Sequence, residues 1–145
     1  GGKATPKLAA AAGAFAIDHL GIAVEKIDAA LEFWEKVLGM SVAHRETVAA
    51  EKVHTAMLPA GESRLELLEP SDPESTIGKY LAKRGPGLHH VAIRVKDLEA
   101  TAQRLAAGGA RVLNEARIGA GGHRYVFVHP ASTGGVLLEL IEERC

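Results

Sequence analysis

Hydrophobic and polar positions alternate from Ile17 to Val24, and again from Leu88 to Val95. Successive strand side chains point to opposite faces, so Leu20, Ile22 and Val24 share one side and His19, Gly21 and Ala23 the other. The second segment repeats the first 71 positions later, with Val91, Ile93 and Val95 on its apolar side and His90, Ala92 and Arg94 opposite. Each segment predicts a strand whose second face carries a histidine among mostly small residues. A glycine inside such a strand, here Gly21, marks a close approach to that face.

The repeat continues downstream. Asp28 to Leu38 reads as a helix, its stripe of Ala29, Leu31, Phe33, Trp34, Val37 and Leu38 carrying extra apolar bulk, and Gly39 suits its C-terminus. Leu98 to Ala107 is its counterpart, capped by Asp97. Extended segments follow the first helix at about Ser41 to Val48, Val53 to Leu58 and Arg64 to Leu68, with Pro59-Ala60-Gly61 as a turn before the last. The second half has matching segments near Arg111 to Glu115, Arg124 to His129 and Val136 to Ile141, separated by loops at Gly119 to Gly122 and Pro130 to Gly135. Each half closes on Leu-Glu-Leu, around Glu66 and Glu139. Between the halves, Ser71 to Ser75 is turn chemistry, and Ser75 caps a short helix from Thr76 to Lys83. The expectation is an α+β fold of two tandem βαβββ modules, about 16–70 and 88–142, joined by 71–87. Two copies fit a paired-module domain better than a solenoid.

Composition narrows the function. The 145 residues amount to one domain, and residues 1–15, rich in Gly and Ala, read as a flexible tail rather than a targeting segment. With 17 basic and 18 acidic residues the formal net charge is −1, so nothing points to nucleic acid or an anionic membrane as partner. No apolar run reaches the roughly 18 residues of a membrane span. The single Cys145 excludes an internal disulfide and is compatible with a reducing, cytoplasmic setting.

The candidate chemistry lies in four residues at matching repeat positions: His19 and His90 on the first strands, Glu66 and Glu139 on the last. The leucines flanking each glutamate point the other way, so each carboxylate stands on the less apolar face of a strand built for burial, which is costly unless it is paired or coordinated. Two converging carboxylates also repel. A divalent cation relieves both costs, and two imidazoles complete its shell; this donor set suits Co, Ni, Zn, Mn or Fe(II). The bland alternative is a core histidine bonded to backbone and a glutamate facing solvent. His89 and His129 are read as structural or supporting residues, and His44 and His123 as exposed.

These stretches resemble the vicinal oxygen chelate superfamily (the glyoxalase/bleomycin resistance protein/dihydroxybiphenyl dioxygenase fold), whose members pair two βαβββ modules in a curved mixed sheet around a metal site. Within it the chain is similar to the methylmalonyl-CoA epimerase family. The residues that carry this are Ile17 to Val24, Leu65-Glu66-Leu67-Leu68-Glu69-Pro70, Ser75 to Leu81, Gly87-Leu88-His89-His90-Val91-Ala92, and Val128-His129-Pro130 with Gly134 to Leu140. The resemblance covers residues 17 to about 142 and implies a single domain over 16–145. It places metal ligands at His19, Glu66, His90 and Glu139, where relatives often carry glutamine in place of Glu66. It implies a divalent ion, cobalt first and nickel, manganese, zinc or iron as alternatives, an acyl-CoA substrate from propionate metabolism, and a homodimer. The implied reaction is epimerisation at C2 of methylmalonyl-CoA through a metal-stabilised enolate. Some relatives carry a catalytic glutamate on the third strand, and His54 is aligned with it. His54 and Glu139 are therefore the candidates for proton transfer, with Glu51 a poorer one. A glyoxalase I-type isomerase acting on a glutathione adduct, and a metal-free small-molecule binding module of the same fold, are the competing readings.

Overall fold

The computed structural model describes residues 15–115, 117–118 and 123–143. Most of the expected tail, the Gly119 to Gly122 loop and Cys145 lie outside them. In chain order the elements are β1 (Ala16–Ala23), α1 (Ile27–Leu31, continued as a π-helical turn over Glu32–Val37), β2 (His44–Val48), β3 (Val53–Ala60), β4 (Ser63–Pro70), α2 (Thr76–Arg84), β5 (Gly87–Val95), α3 (Leu98–Ala107), β6 (Arg117–Ile118), β7 (Arg124–Val128) and β8 (Leu137–Glu142). Short 3₁₀ turns cover Ala49–Glu51 and Pro130–Ser132. The class is α+β, mixed in its strand pairing. The chain divides into two compact units, one of residues 19–90 and one of 91–143 together with the start of β1.

In the first unit β1 runs parallel to β4, placing Gly21 beside Glu66 and Ala23 beside Leu68. β3 is antiparallel to both β4 and β2, so Glu66 also faces Met57, and Met57 faces His44. Cross-strand partners share a face of the sheet. One face therefore carries the rows Gly21–Glu66–Met57–His44 and Ala23–Leu68–Thr55–Glu46. Ala23, Val53 and Leu68 on this face pack under Ile77, with Tyr80 and Leu81 of α2 against them. The opposite face packs Ala56, Leu58 and Leu67 against Ile27 and Leu31 of α1.

The helix starts follow local chemistry. Ser75 Oγ accepts from Gly78 N at 3.0 Å and caps α2, as the sequence predicts. α1 has no side-chain cap of its own, and Glu69 Oε1 on β4 accepts from Ile27 N at 2.7 Å instead. After Leu31 the helix widens, with Leu38 N bonded to Phe33 O. The extra apolar bulk expected in this helix is not a buried stripe, since Phe33, Val37 and Leu38 are exposed. The expected Pro59-Ala60-Gly61 turn shifts toward the C-terminus: β3 runs through Pro59 to Ala60, which pairs with Ser63. Gly61, at φ +64°, and Glu62 make the hairpin turn. Met57 O accepts from Ala43 N on the β2 side, so the nitrogen of Pro59, two residues on, faces the same way. It lies past the His44–Met57 end of that ladder, where a missing N–H costs no bond.

The second unit has a core of Val95, Leu98, Val126, Val128 and Leu140. Asp97 Oδ1 caps α3 by accepting from Ala100 N at 3.0 Å, and Glu142 Oε2 on β8 accepts from Leu98 N at 3.0 Å. Glu69 and Glu142 each stand three residues past a Leu-Glu-Leu glutamate, so the repeat duplicates a helix cap as well as a pair of candidate ligands. The strand expected near Arg111 to Glu115 is reduced to a bridge between Val112 and Val128. Asn114 is the reason: its side chain accepts from Phe127 N at 2.7 Å and donates to Tyr125 O, taking ladder positions that backbone would otherwise fill.

Candidate metal centre

His19 and His90 are both buried, each 7% exposed, and Glu66 is half-buried beside them. His19 Nε2 lies 3.0 Å from His90 Nε2, and each is 3.5 Å from Glu66 Oε1. The imidazoles meet edge to face, 5.1 Å between centroids. A triangle of these sides has a point about 2 Å from every corner, which is the length of a bond from zinc to imidazole nitrogen or carboxylate oxygen. The three donor atoms thus fit a divalent cation without rearrangement.

Gly21 makes that convergence possible. A Cβ at this position would lie 2.1 Å from His90 Cε1, so the imidazole of His90 occupies the space a side chain would fill. The close approach expected at this glycine is made by a residue of the second repeat.

Electrostatics favours an ionised Glu66. Burial acts to raise its pKa, but the hydrogen bond from His90 and the neighbouring His19, His90 and Arg64 charges outweigh that and hold it below the usual carboxylate value. His89 is also pushed down, to about 4, by burial and by the adjacent His90. Its Nδ1 is 2.8 Å from His90 Nδ1, and its ring stacks edge to face on Tyr80. Among the described residues, His19, Glu66 and His90 are the group of three or more donors close enough to hold a metal.

The remaining expected site residues fall elsewhere. Glu139 belongs to the second unit, half-buried on β8 opposite Phe127, while its neighbour Leu140 enters the core. His54 is placed by the sheet register. It pairs with Glu69 on β4 and with Thr47 on β2, which puts it on the α1 face, opposite to Glu66. There its Nδ1 meets Thr47 Oγ1 at 2.8 Å. Strand parity sends Thr55, 5% exposed, to the Glu66 face instead. Glu51 sits in an exposed 3₁₀ turn. His44 is exposed, as expected, and lies 3.6 Å from Glu46 on the Glu66 face. His129 Nδ1 accepts from Ala131 N in a structural role, while His123 is half-buried rather than exposed. Glu46, and the bond between His89 and His90, were missed from sequence. The alternation of β2 against β3 held the signal for the first.

The His-Glu-His cluster on this mixed sheet is a candidate metal site, and comparison with known proteins gives the family. The chain belongs to the Glyoxalase/Bleomycin resistance protein/Dioxygenase superfamily, which it matches over residues 18–127. Within it the chain is a relative of methylmalonyl-CoA epimerases. It is 41% identical to the crystal structure of methylmalonyl-CoA epimerase from Mycobacterium tuberculosis, with a TM-score of 0.79, covering 89% of this chain and 88% of that one. A methylmalonyl-CoA epimerase in complex with methylmalonyl-CoA and NH4+ is 40% identical, with a TM-score of 0.78, over 89% and 94% of the two chains. An uncharacterised protein of Bacillus subtilis is 40% identical over 88% of this chain and 92% of its own. Among the described residues, no helix is long and apolar enough to cross a membrane.

Proposed function

We propose that the chain is a divalent-cation-dependent epimerase that inverts C2 of methylmalonyl-CoA. The observation that carries this is the cluster of His19 Nε2, His90 Nε2 and Glu66 Oε1, spaced for one cation, in a chain related over most of its length to epimerases of that substrate. His19, Glu66 and His90 hold the ion. Glu139, which the repeat equates with Glu66, is the candidate for a fourth ligand. Cobalt heads the metals that suit two imidazoles and carboxylates, with nickel, manganese, zinc and iron as alternatives. When bound, the ion supplies a Lewis acid that stabilises the negative charge of the enolate left by loss of the C2 proton.

The chain's own residues move that proton. The substrate proton lies between a thioester and a carboxylate, and its removal leaves a second negative charge on an already anionic acyl group. Inversion requires a proton to leave from one side and return on the other. His54 is on the wrong face for this work. On the face that carries Glu66, the proton acceptors of β2 are Glu46, beside Thr55, and His44, beside Met57. The Glu46 carboxylate is the base we assign, with His44, 3.6 Å away, able to exchange its proton with solvent. Glu139 is the second candidate for proton transfer, from its match to Glu66 in the repeat.

The test is C2 exchange. The cobalt-loaded protein is incubated with one epimer of methylmalonyl-CoA in deuterated water, and deuterium incorporation is followed together with loss of optical purity. Incorporation with racemisation, abolished by EDTA and restored by cobalt, is expected. Absence of exchange refutes the proposal, and turnover of a glutathione hemithioacetal instead would establish the glyoxalase reading.

A further inference from the structure

We infer that His89 is a positioning residue that fixes which nitrogen of His90 faces the cation. The inference rests on the metal reading above and adds a residue to which the ligand set gives no role. Neutral imidazole carries one proton, and the nitrogen that binds a metal must be the bare one. His90 Nε2 points at His19 Nε2 and Glu66 Oε1, 3.0 and 3.5 Å away. For this nitrogen to be bare, the proton of His90 must sit on Nδ1, and a buried N–H needs an acceptor. Nδ1 of His89 stands at hydrogen-bond distance from Nδ1 of His90, at 2.8 Å.

That bond has two senses. If His90 Nδ1–H donates, His89 Nδ1 accepts and its own proton lies on Nε2. If His89 Nδ1–H donates, the proton of His90 moves to Nε2 and blocks the site. The need for a bare Nε2 at the cation selects the first sense, and the surroundings of His89 hold its ring in place. Its centroid is 5.0 Å from that of Tyr80 in an edge-to-face contact, and Tyr80 is anchored by its hydroxyl, which donates to Leu88 O at 2.7 Å. The two histidine rings are themselves nearly perpendicular, at 88°. A doubly protonated His89 would turn an N–H toward the N–H of His90, with only 2.8 Å between the two nitrogens. The consecutive histidines of β5 thus act as a pair, in which His90 offers the donor atom and His89 accepts the proton from its far side.

Two substitutions and one spectrum test this. His89→Leu removes the acceptor, whereas His89→Asn keeps an oxygen close to the place of Nδ1 that can only accept. Titration calorimetry with cobalt or zinc should show affinity reduced about 10- to 100-fold in His89→Leu, the range for loss of a residue that orients a ligand. Affinity in His89→Asn should stay within a few-fold of wild type, with both variants folded by circular dichroism. In the cation-free protein, long-range proton–nitrogen spectra of the imidazoles should show a proton on Nδ1 of His90 and His89 protonated on Nε2 alone. Wild-type affinity in His89→Leu, equal losses in both variants, or a proton on His89 Nδ1 would overturn the inference. If the wild type itself binds no divalent cation, the metal reading fails, and the imidazole spectra alone still decide the orientation of the His89–His90 bond.

Discussion

Gly21→Ala adds one methyl group at the centre of the proposed site. Its carbon would stand 2.1 Å from Cε1, 2.4 Å from Nδ1 and 2.6 Å from Nε2 of His90. Carbon atoms in contact settle at about 3.5–4.0 Å, so the imidazole must retreat by roughly 1.5 Å or β1 must move. The atoms in the way belong to a ring held by His89 on one side and by His19 and Glu66 on the other, so no free chain end can swing aside. Overpacking of this kind costs about 1–3 kcal/mol. For a chain of this length that corresponds to a drop in Tm of about 3 to 12 °C. The effect on the site is larger than the effect on the fold. A displacement of about 1.5 Å is most of a metal–nitrogen bond length, and a misplacement of about 1 Å already costs about 100-fold in catalysis. The comparison variant is Gly61→Ala, in the hairpin turn, where φ is +64° and nothing lies within 4 Å of an added Cβ. It carries a backbone cost of about 1 kcal/mol and lies away from His90. Scanning calorimetry on both variants, paired with cobalt titration, separates the outcomes. Both should melt earlier, while Gly21→Ala alone should lose cation affinity, by at least about tenfold. Wild-type affinity in Gly21→Ala would show that His90 can leave its place over Gly21 without consequence, and would refute the assignment of His90 as a ligand.

Three further expectations follow from the same geometry. In cation-free protein, His89 and Glu66 both have lowered pKa values, so the unfolded chain takes up their protons first and stability falls on acidification. The His89 contribution should be lost between pH 6.5 and about 4, and that of Glu66 only below 4.5. Urea midpoints against pH should therefore flatten in the upper window for His89→Asn and in the lower one for Glu66→Gln; identical profiles in wild type and variants would refute the environments described. Glu69→Ala and Glu142→Ala should each destabilise by about 1 kcal/mol, as loss of a helix cap does, while leaving cobalt affinity unchanged in the calorimeter; a loss of affinity would place them in the site. In the C2 exchange assay, Glu46→Gln should lower kcat by about 100-fold or more with cobalt still bound, whereas His54→Gln should match wild type; the reverse pattern would return proton transfer to His54.

What the sequence could reveal depended on period. Alternation identified β1 and β5 and assigned His19, Gly21 and His90 to one face, because each strand supplied several positions that agreed. The repeat then singled out Glu66, and register sets it beside Gly21, the residue that leaves room for His90. The short segments were harder to place. Asn114 replaces backbone bonds with side-chain ones, and no hydropathy pattern distinguishes that from a strand. In β3 the face of each residue is a matter of parity. Val53, Thr55 and Met57 point to the Glu66 face and His54, Ala56 and Leu58 to α1, yet both sets are apolar enough to be buried, so alternation in β3 is silent about which face is which. A one-residue slip in a strand moves every side chain to the other face. The parity of β3 thus makes His54 the hydrogen-bond partner of Thr47. It also shows where a proton acceptor must be sought: across the ladder from Thr55, on the edge strand, where Glu46 is exposed to solvent and on the same side of the sheet as Glu66. An exposed carboxylate is free to meet a substrate on that face and to exchange its proton afterwards, whereas His54 points to the other face. The proposed division of work in the first unit is therefore set by the pleat, which gives one face to the cation and the proton and the other to the helix that holds the strands together.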